Sequence, residues 1–147
     1  MLVGFKEILS QAEKGGYAVP AFNVYNMETV MGVVAAAEEL HSPVIMQFYS
    51  RLATTGFSDY LAPVILKAAQ KADVPVCMHL DHGAGYEAAA IAVRNGATGR
   101  RIDISALAME DKKGKTATHV RYCAGLGTGC GGAKGTDSKG SDGVPTA

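Results

Sequence analysis

Two histidines, an aspartate and a glycine stand together where one apolar stretch of the sequence ends. The stretch begins at Val74 and runs into His79-Leu80-Asp81-His82-Gly83. Imidazole nitrogen binds divalent metal ions such as zinc, and a neighbouring carboxylate can transfer a proton without itself binding the ion. The alternation of a strand sends Asp81 and His82 to opposite faces unless the backbone turns there. We expect Gly83 to make that turn easy.

Helices and strands alternate along the chain up to residue 105. Phe5, Ile8, Leu9 and Ala12 have the spacing of an amphipathic helix, which we expect to stop at Gly15 and Gly16. Further helices are predicted after Asn26 and after Ser58 as N-caps, with 51–57 as a connection, and over 86–93 with Gly96 as its C-terminal cap. Strands are predicted over 17–24, 43–48, 74–83 and 97–105.

This alternation repeats about every 30 residues and predicts an α/β fold with a parallel sheet and right-handed crossovers. Parallel strands are buried on both faces and read as apolar runs. Polar residues follow these runs at Asn23, at Gln47 and Ser50, and at Asp103. Because the carboxyl ends of parallel strands lie at one edge of the sheet, we expect these residues and the histidine cluster to share that edge.

Composition narrows the classes of function. The 147 residues carry 14 basic and 14 acidic side chains. The chain therefore lacks the excess of one sign of charge that binding to a nucleic acid or to a membrane surface requires. We find no apolar run of membrane-spanning length and no signal-peptide pattern at the start. Cys77, Cys123 and Cys130 are odd in number without Cys-x-x-Cys spacing, which argues against a disulfide framework. We expect a cytoplasmic protein.

The chain changes character after residue 105, and a second oddity lies just before that point. Arg100 and Arg101 occupy positions where a central parallel strand should be apolar, so one of them must face a core or a neighbour. A short helix is predicted over 116–124. Residues 125–147 are dominated by small and polar residues, which cannot bury enough apolar surface to offset their ordering entropy, and we predict a Gly-rich loop or a disordered tail.

Four segments of the sequence, taken together, resemble the N-terminal half of the class II, metal-dependent ketose-bisphosphate aldolases, which include the fructose- and tagatose-bisphosphate enzymes. The likeness is close up to about residue 107. The segments are Ala-Phe-Asn-Val-Tyr-Asn around Asn23, Pro43-Val44-Ile45, Val74-Pro75-Val76 with His79-Leu80-Asp81-His82-Gly83, and Ile102-Asp103-Ile104-Ser105-Ala106-Leu107.

The resemblance implies a TIM-type (β/α) barrel, of which residues 1–124 would hold the first four to five β/α units. It also implies a zinc-dependent lyase that reversibly cleaves fructose or tagatose 1,6-bisphosphate to dihydroxyacetone phosphate and glyceraldehyde 3-phosphate. The expected ligands are therefore Zn²⁺ and a phosphorylated ketose or triose phosphate, and we expect a homo-oligomer. The choice between fructose and tagatose stays open, because it depends on the stereochemistry of one hydroxyl group.

Carried onto this sequence, the resemblance makes His82 a zinc ligand and Asp81 the acid that passes a proton to or from the aldehyde oxygen. Asp103 would hold the metal in an alternative, more buried position, and His79 would orient His82 or Asp81. Structural roles stay open beside these. His82 could be a histidine satisfied by hydrogen bonds at a strand end, Asp81 could cap the following helix, and Asp103 could cap the next segment.

Asn23 and Ser50 would lie near the substrate by the same resemblance. Asn23 could equally be a turn residue. The placement of Ser50 is complicated by the segment Gln47-Phe48-Tyr49-Ser50, which is one residue longer than the family pattern.

The sequence also departs from the family. A catalytic zinc site normally takes three protein ligands, yet neither His41 nor His119 matches a ligand position. Gly131-Gly132-Ala133-Lys134-Gly135 stands in place of Glu-Ala-Glu-Leu-Gly, and Ser141 stands in place of an acid-base glutamate. We therefore expect an aldolase that is truncated or impaired in this chain. The alternative is a noncatalytic half-barrel that acts as an oligomerising or partner-binding subunit, because an open barrel leaves two exposed edges.

Overall fold

The computed structural model describes residues 1–103 together with residues 114, 117, 118, 121, 129 and 130. In this part of the chain, helices and strands alternate as the sequence pattern predicts. The elements are α1 (Phe5–Gly15), β1 (Ala21–Asn23), α2 (Met27–Glu39), β2 (Val44–Tyr49), α3 (Ser50–Thr54), α4 (Ser58–Lys71), β3 (Val76–Gly83), α5 (Tyr86–Arg94), β4 (Gly99–Ile102) and β5 (Gly129–Cys130).

The strands form one parallel sheet in the order β1-β2-β3-β4-β5. The predicted α/β class with a parallel sheet is therefore confirmed. One row across the sheet joins Asn23, Gln47, His79 and Gly99 as register partners on successive strands. Because register partners in a sheet point to the same face, this row brings three polar side chains to one side of the sheet.

The two faces of the sheet are packed against different helices. Met46, Phe48, Met78 and Leu80 alternate along β2 and β3, and all four are fully buried in the core that contains residues of α2, α4 and α5. Burial of each such side chain contributes about 2 kcal/mol relative to exposure. The alternate residues face the other side, where Ile45 and Cys77 pack against Ile8 of α1 at the amino end of the strands. The carboxyl end of the sheet is thereby left to the polar residues.

Two helix ends follow the predicted local chemistry. Asn26 caps α2, since its Oδ1 accepts from the backbone N–H of Thr29 at 2.9 Å, and the Thr29 hydroxyl oxygen accepts from the backbone N–H of Asn26 at 3.2 Å. Beyond α5, Gly96 adopts φ +86°, and the N–H groups of Gly96 and Ala97 donate to the carbonyls of Val93 and Ala92. This is a Schellman ending, and it turns the chain into β4.

Strand β1 is shorter than the predicted 17–24. Its assigned bounds are Ala21–Asn23, although the carbonyl of Pro20 accepts from Ile45 N–H and Val24 N–H donates to Gln47, each at 2.9 Å. Proline has no N–H to donate, which limits the strand on its amino side.

The segment after β2 also differs from the prediction. Residues 51–57 were expected to be a connection, but Ser50–Thr54 form the short helix α3. Ser58 is the first residue of α4 and makes no capping hydrogen bond, because Phe57 holds the N-cap position. The Ser58 hydroxyl instead accepts from the Asn95 side chain at 2.9 Å, and this bond ties the start of α4 to the end of α5.

Most of the predicted helix at 116–124 and of the predicted tail at 125–147 lies outside the described residues. Gly129 and Cys130 are an exception, and for them the loop prediction is wrong. They form β5, with Gly129 paired to Gly99 and Cys130 paired to Arg100. None of the described helices combines the length and the apolar content needed to cross a bilayer.

Candidate active site

The carboxyl ends of the four longer strands bring the predicted site residues to one edge of the sheet. Asn23 is the last residue of β1, Ser50 follows β2, Asp81 and His82 lie near the end of β3, and Asp103 follows β4. In open parallel sheets this edge is where ligands bind. The predicted clustering of these residues at one edge agrees with the structure.

A bulge in β3 lies at this edge, next to Asp81 and His82. Leu80 pairs with Arg100 and Gly83 pairs with Ile102, so Asp81 and His82 lie opposite the single residue Arg101. A bulge of this kind bends the strand and changes the direction of its side chains. His82 itself adopts a left-handed backbone with φ +47°, which few non-glycine residues do.

The bulge cancels the alternation that would separate Asp81 from His82. Asp81 Oδ2 lies 3.8 Å from His82 Nε2, so the carboxylate and the imidazole face the same space. The expectation that Gly83 would provide the turn was wrong, since the residue with positive φ is His82. Both side chains are partly exposed at this edge.

Gly83 has a different role, which is to let β3 and β4 approach each other. A Cβ atom at this position would lie 2.5 Å from the carbonyl oxygen of Arg101. The Gly83 carbonyl accepts from the Asp103 N–H at 2.9 Å. The missing side chain therefore allows the backbone contact that brings Asp103 beside the bulge.

The imidazole of His82 contacts two groups of opposite charge through one nitrogen. Asp103 Oδ2 lies 2.9 Å from His82 Nδ1, and Arg101 Nη2 lies 3.3 Å from the same atom. Nδ1 donates if it faces the carboxylate and accepts if it faces the guanidinium, so the two contacts favour different tautomers. The shorter contact, to a charged acceptor, favours a proton on Nδ1 and leaves the lone pair on Nε2, beside Asp81.

This arrangement fits one metal ligand but not a complete set. A carboxylate that accepts from Nδ1 is the usual support for a histidine that binds a metal through Nε2. However, Asp81 and Asp103 flank opposite nitrogens of the ring, so no single point is close to all three groups. Among the described residues, no group of three His, Cys, Asp or Glu side chains is placed to hold a metal ion.

His79 lies on β3 two residues before Asp81. Its side chain is almost completely buried, with 3% of its surface exposed. Its Nδ1 accepts from the side-chain amide of Gln47 at 3.3 Å, and its ring stacks on Phe5 with a centroid distance of 4.7 Å. Burial lowers the pKa of His79 to about 4, although the nearby charge of Asp81 acts in the opposite direction. His79 is therefore neutral at pH 7, and its hydrogen-bond partner is Gln47.

The two predicted substrate residues differ in exposure. Asn23 is exposed at the end of β1, next to Gln47 in the register. Ser50 is 4% exposed and begins α3. Tyr49, between Gln47 and Ser50, is the register partner of Asp81, and its ring lies edge-on to the His82 ring at 6.2 Å.

Sequence reasoning missed Tyr49 and Arg101 as neighbours of His82. Tyr49 is one of several aromatic residues near strand ends, and only the register between β2 and β3 singles it out. The Arg100-Arg101 pair was recognised as unusual, and the structure separates its members. Arg100 is fully buried in register with Leu80, whereas Arg101 is exposed beside His82.

The sequence profile of the family described as Fructose-bisphosphate aldolase class-II matches residues 3–144. The chain belongs to this family. The suspected relation to class II aldolases is thereby confirmed, and the family match extends beyond residue 107.

Several solved structures of aldolases share the fold. The YdjI aldolase from Escherichia coli K12 is 35% identical with a TM-score of 0.82, and the match covers 88% of this chain and 49% of that one. A putative fructose-1,6-biphosphate aldolase from Coccidioides immitis is 28% identical with a TM-score of 0.79, covering 95% and 49%. Fructose-bisphosphate Aldolase (Fba) from Campylobacter jejuni is 20% identical with a TM-score of 0.77, and the match covers 88% of this chain and 45% of that one. At this identity the likeness shows a shared fold only.

The chain therefore spans about half the length of these relatives. The match confirms the predicted fold class, a partial aldolase-type TIM barrel.

Proposed function

We propose that this chain provides the N-terminal half of the active site of a class II ketose-bisphosphate aldolase. The reaction is the reversible cleavage of fructose 1,6-bisphosphate or tagatose 1,6-bisphosphate to dihydroxyacetone phosphate and glyceraldehyde 3-phosphate. The observation that carries the proposal is the β3 bulge, which puts the Asp81 carboxylate beside Nε2 of His82 while Asp103 contacts Nδ1.

Asp81 is the proposed proton carrier. In the direction of cleavage, its carboxylate accepts the proton of the C4 hydroxyl as the C3–C4 bond breaks and the aldehyde forms. In the direction of condensation, it returns that proton to the aldehyde oxygen. A carboxylate at a partly exposed strand end is within reach of a bound substrate and of water, as acid-base catalysis requires.

Zn²⁺ is the proposed cofactor, with His82 Nε2 as one ligand. Bound zinc supplies Lewis-acid stabilisation of the negative charge that develops on the substrate. Asp103 orients the imidazole in the described geometry, and its role as a ligand for a second metal position stays a prediction. The remaining ligands of a three-ligand site must come from outside the described residues.

The proposed contacts to the phosphorylated ketose are made by Asn23 and Ser50. Gln47 and His79, which are hydrogen-bonded to each other, lie beside them on the same face of the sheet. Asn23, Gln47 and His79 form one row on the face of the sheet that also presents Asp81. Neutral His79 places no positive charge under the site, so the charge of the Asp81 carboxylate is not neutralised from below.

The test is an assay of triose phosphate release from each bisphosphate with Zn²⁺ present. Because the ligand set is incomplete here, we expect low turnover by the chain alone and a clear increase when the C-terminal half of the E. coli YdjI aldolase is co-expressed with it. Asp81→Asn and His82→Gln should abolish the increase, whereas Arg94→Met, at the exposed end of α5, should preserve it. Release that survives both EDTA and Asp81→Asn would contradict the proposal.

The second candidate is a noncatalytic half-barrel that associates with itself or with an aldolase subunit. The observation in its favour is on β1, where Phe22 is 50% exposed although its register partner Met46 is fully buried. Strand β1 is the first strand of the described sheet and pairs on one side only, with β2, so its other side offers unpaired backbone groups to a further strand. Native mass spectrometry tests this reading: a stable oligomer without bound zinc and without triose phosphate release favours it, and a zinc-free monomer contradicts it.

A further inference from the structure

The imidazole of His79 carries a buried hydrogen-bond donor. Its Nδ1 accepts from the side-chain amide of Gln47 at 3.3 Å, so in the neutral ring the proton lies on Nε2. Nε2 is buried and has no hydrogen-bond partner in the part of the chain that the structure describes. Buried N–H groups in proteins are nearly always paired with a protein acceptor or with ordered water, because an unmade bond is unfavourable.

The packing around the ring fixes the direction of this donor. Phe5 stacks on the ring with a centroid distance of 4.7 Å and an angle of 30° between the planes. On the side of β4, a Cβ atom at Gly99 would lie only 2.9 Å from Cδ2 of His79, so the β4 backbone lies close against the ring. Gln47 holds the remaining nitrogen. The ring therefore has little freedom to turn Nε2 toward another acceptor.

The Asp81 carboxylate is the complementary group on the same face of β3. His79 and Asp81 pair in regular register with Gln47 and Tyr49, so their side chains point to the same side and start about 6.6 Å apart along the strand. The Asp81 side chain is only 15% exposed, and its 3.8 Å contact with His82 is too long for a hydrogen bond. Within residues 1–103, the structure shows no hydrogen bond to the Asp81 carboxylate.

We propose that an ordered water molecule lies between His79 and Asp81, accepts from the Nε2–H of His79 and donates to a carboxylate oxygen of Asp81. One water with a hydrogen bond of about 2.9 Å on each side spans about 5 Å, which bridges two groups that are too far apart for direct contact. A buried water needs at least two polar partners, and this donor and this acceptor supply them. Because His79 is only 3% exposed, its surroundings leave no opening for a larger ligand.

The charge state of His79 agrees with a bridging water. Burial lowers the pKa of His79 to about 4, so the ring is neutral at pH 7 and forms no ion pair with Asp81. A neutral Nε2–H donates one hydrogen bond, and the water passes a hydrogen bond on to the carboxylate.

The water makes His79 a positioning residue for Asp81. Oδ2 of Asp81 is the oxygen that faces His82, and a hydrogen bond from the water to the other oxygen would hold the carboxylate in that direction. This consequence rests on the proposed function of Asp81 as the proton carrier. The water site itself does not depend on that function.

NMR spectroscopy of the chain tests the water site directly. The ring ¹⁵N resonances of His79 give its tautomer, and paired NOE and ROE spectra detect a long-lived water beside the Nε2 proton, since their opposite signs exclude chemical exchange. Asp81→Ala removes the second partner of the water. Asp73→Ala is the matched control, because it removes the same charge at an exposed position before β3.

We expect the parent chain and Asp73→Ala to carry the proton on Nε2 and to show the water cross peak. A hydrogen bond to a charged group is worth about a tenfold factor, so exchange of the Nε2 proton with solvent should be about tenfold faster in Asp81→Ala. Three results would overturn the inference: a proton on Nδ1, no water cross peak in the parent, or the same cross peak and exchange rate in Asp81→Ala as in the parent.

The triose phosphate assay with the co-expressed C-terminal half of the E. coli YdjI aldolase tests the positioning role. His79→Gln keeps a donor near the position of Nε2, whereas His79→Phe keeps a ring and removes the donor. We expect His79→Phe to lower kcat with little change in KM, and His79→Gln to restore part of that loss. Equal kcat in the parent and His79→Phe would contradict the positioning role.

The two arms separate this inference from the proposed function. If Asp81→Asn leaves triose phosphate release unchanged, the proposed function fails, and the NMR spectra still decide whether the water is present. If the release depends on Asp81 and the parent shows no water cross peak, only the inference about His79 fails.

Discussion

Acidification should destabilise this fold through His79. Its pKa falls from 6.5 to about 4 on folding, because the folded protein buries the ring and burial disfavours the charged form. Between these two values the unfolded chain binds a proton that the folded chain does not. Stability attributable to His79 is therefore complete at pH 7 and declines as the pH falls from about 6.5 toward 4.

The magnitude follows from the two pKa values. Proton linkage gives a loss of about 2 kcal/mol at pH 5 and about 3 kcal/mol at pH 4, with a slope approaching 1.4 kcal/mol per pH unit. Losses of this size are a large share of the total stability of a small domain.

Urea denaturation at pH 7, 6 and 5 measures the effect. His79→Gln removes the titrating group, so its free energy of unfolding should fall by about 2 kcal/mol less than that of the parent between pH 7 and pH 5. Its stability at pH 7 should be lower, because the stacking on Phe5 is lost. His41→Asn, which replaces an exposed histidine in the turn after α2, should retain the pH dependence of the parent. Equal slopes in the parent and His79→Gln would refute the reasoning.

Three further predictions concern the bulge, a helix cap and the buried thiol. Gly83→Ala should destabilise the fold by about 2 kcal/mol in urea denaturation, because the new methyl group meets the Arg101 carbonyl at 2.5 Å; an unchanged midpoint would show that the strands separate freely. Asn26→Ala should lower the free energy of unfolding by about 1 kcal/mol, because the capping box with Thr29 is lost. Thermal unfolding at pH 7 should show a lower melting temperature, and an unchanged one would show that the cap contributes nothing. Burial raises the pKa of the Cys77 thiol to about 11, and a protonated, buried thiol reacts slowly with iodoacetamide. Peptide mapping after iodoacetamide treatment at pH 8 should therefore find Cys77 modified slowly in the native protein and rapidly in urea. Equal rates would contradict its burial.

Local patterns were sufficient for most of the fold. The spacing of Phe5, Ile8 and Ala12, the Asn26 cap and the glycine at position 96 each depend on residues a few positions apart, and α1, α2 and α5 form as predicted. Helix α3 was missed because Ser50–Thr54 is too short for a periodic pattern.

The candidate site was predictable in its members but not in its geometry. Strand-end position placed Asp81, His82 and Asp103 at one edge of the sheet, and the family resemblance supplied their roles, which stay predictions. Their relative directions depend on the register between β3 and β4, where two residues face one. Register is a property of strands brought together by the fold, and a bulge in it leaves no mark in either strand's own pattern. Arg101 was noticed as an oddity, yet its contact with His82 could not be deduced for the same reason.

The central claim is that the β3 bulge presents Nε2 of His82 to a divalent cation while Asp103 holds Nδ1. The most direct test is the ring ¹⁵N spectrum of His82 during addition of Zn²⁺. The account predicts a zinc-dependent change of the Nε2 resonance with Nδ1 retaining its proton, and loss of that change in Asp103→Ala. A spectrum in which zinc leaves both nitrogens of His82 unchanged, or acts on Nδ1 instead, would contradict it.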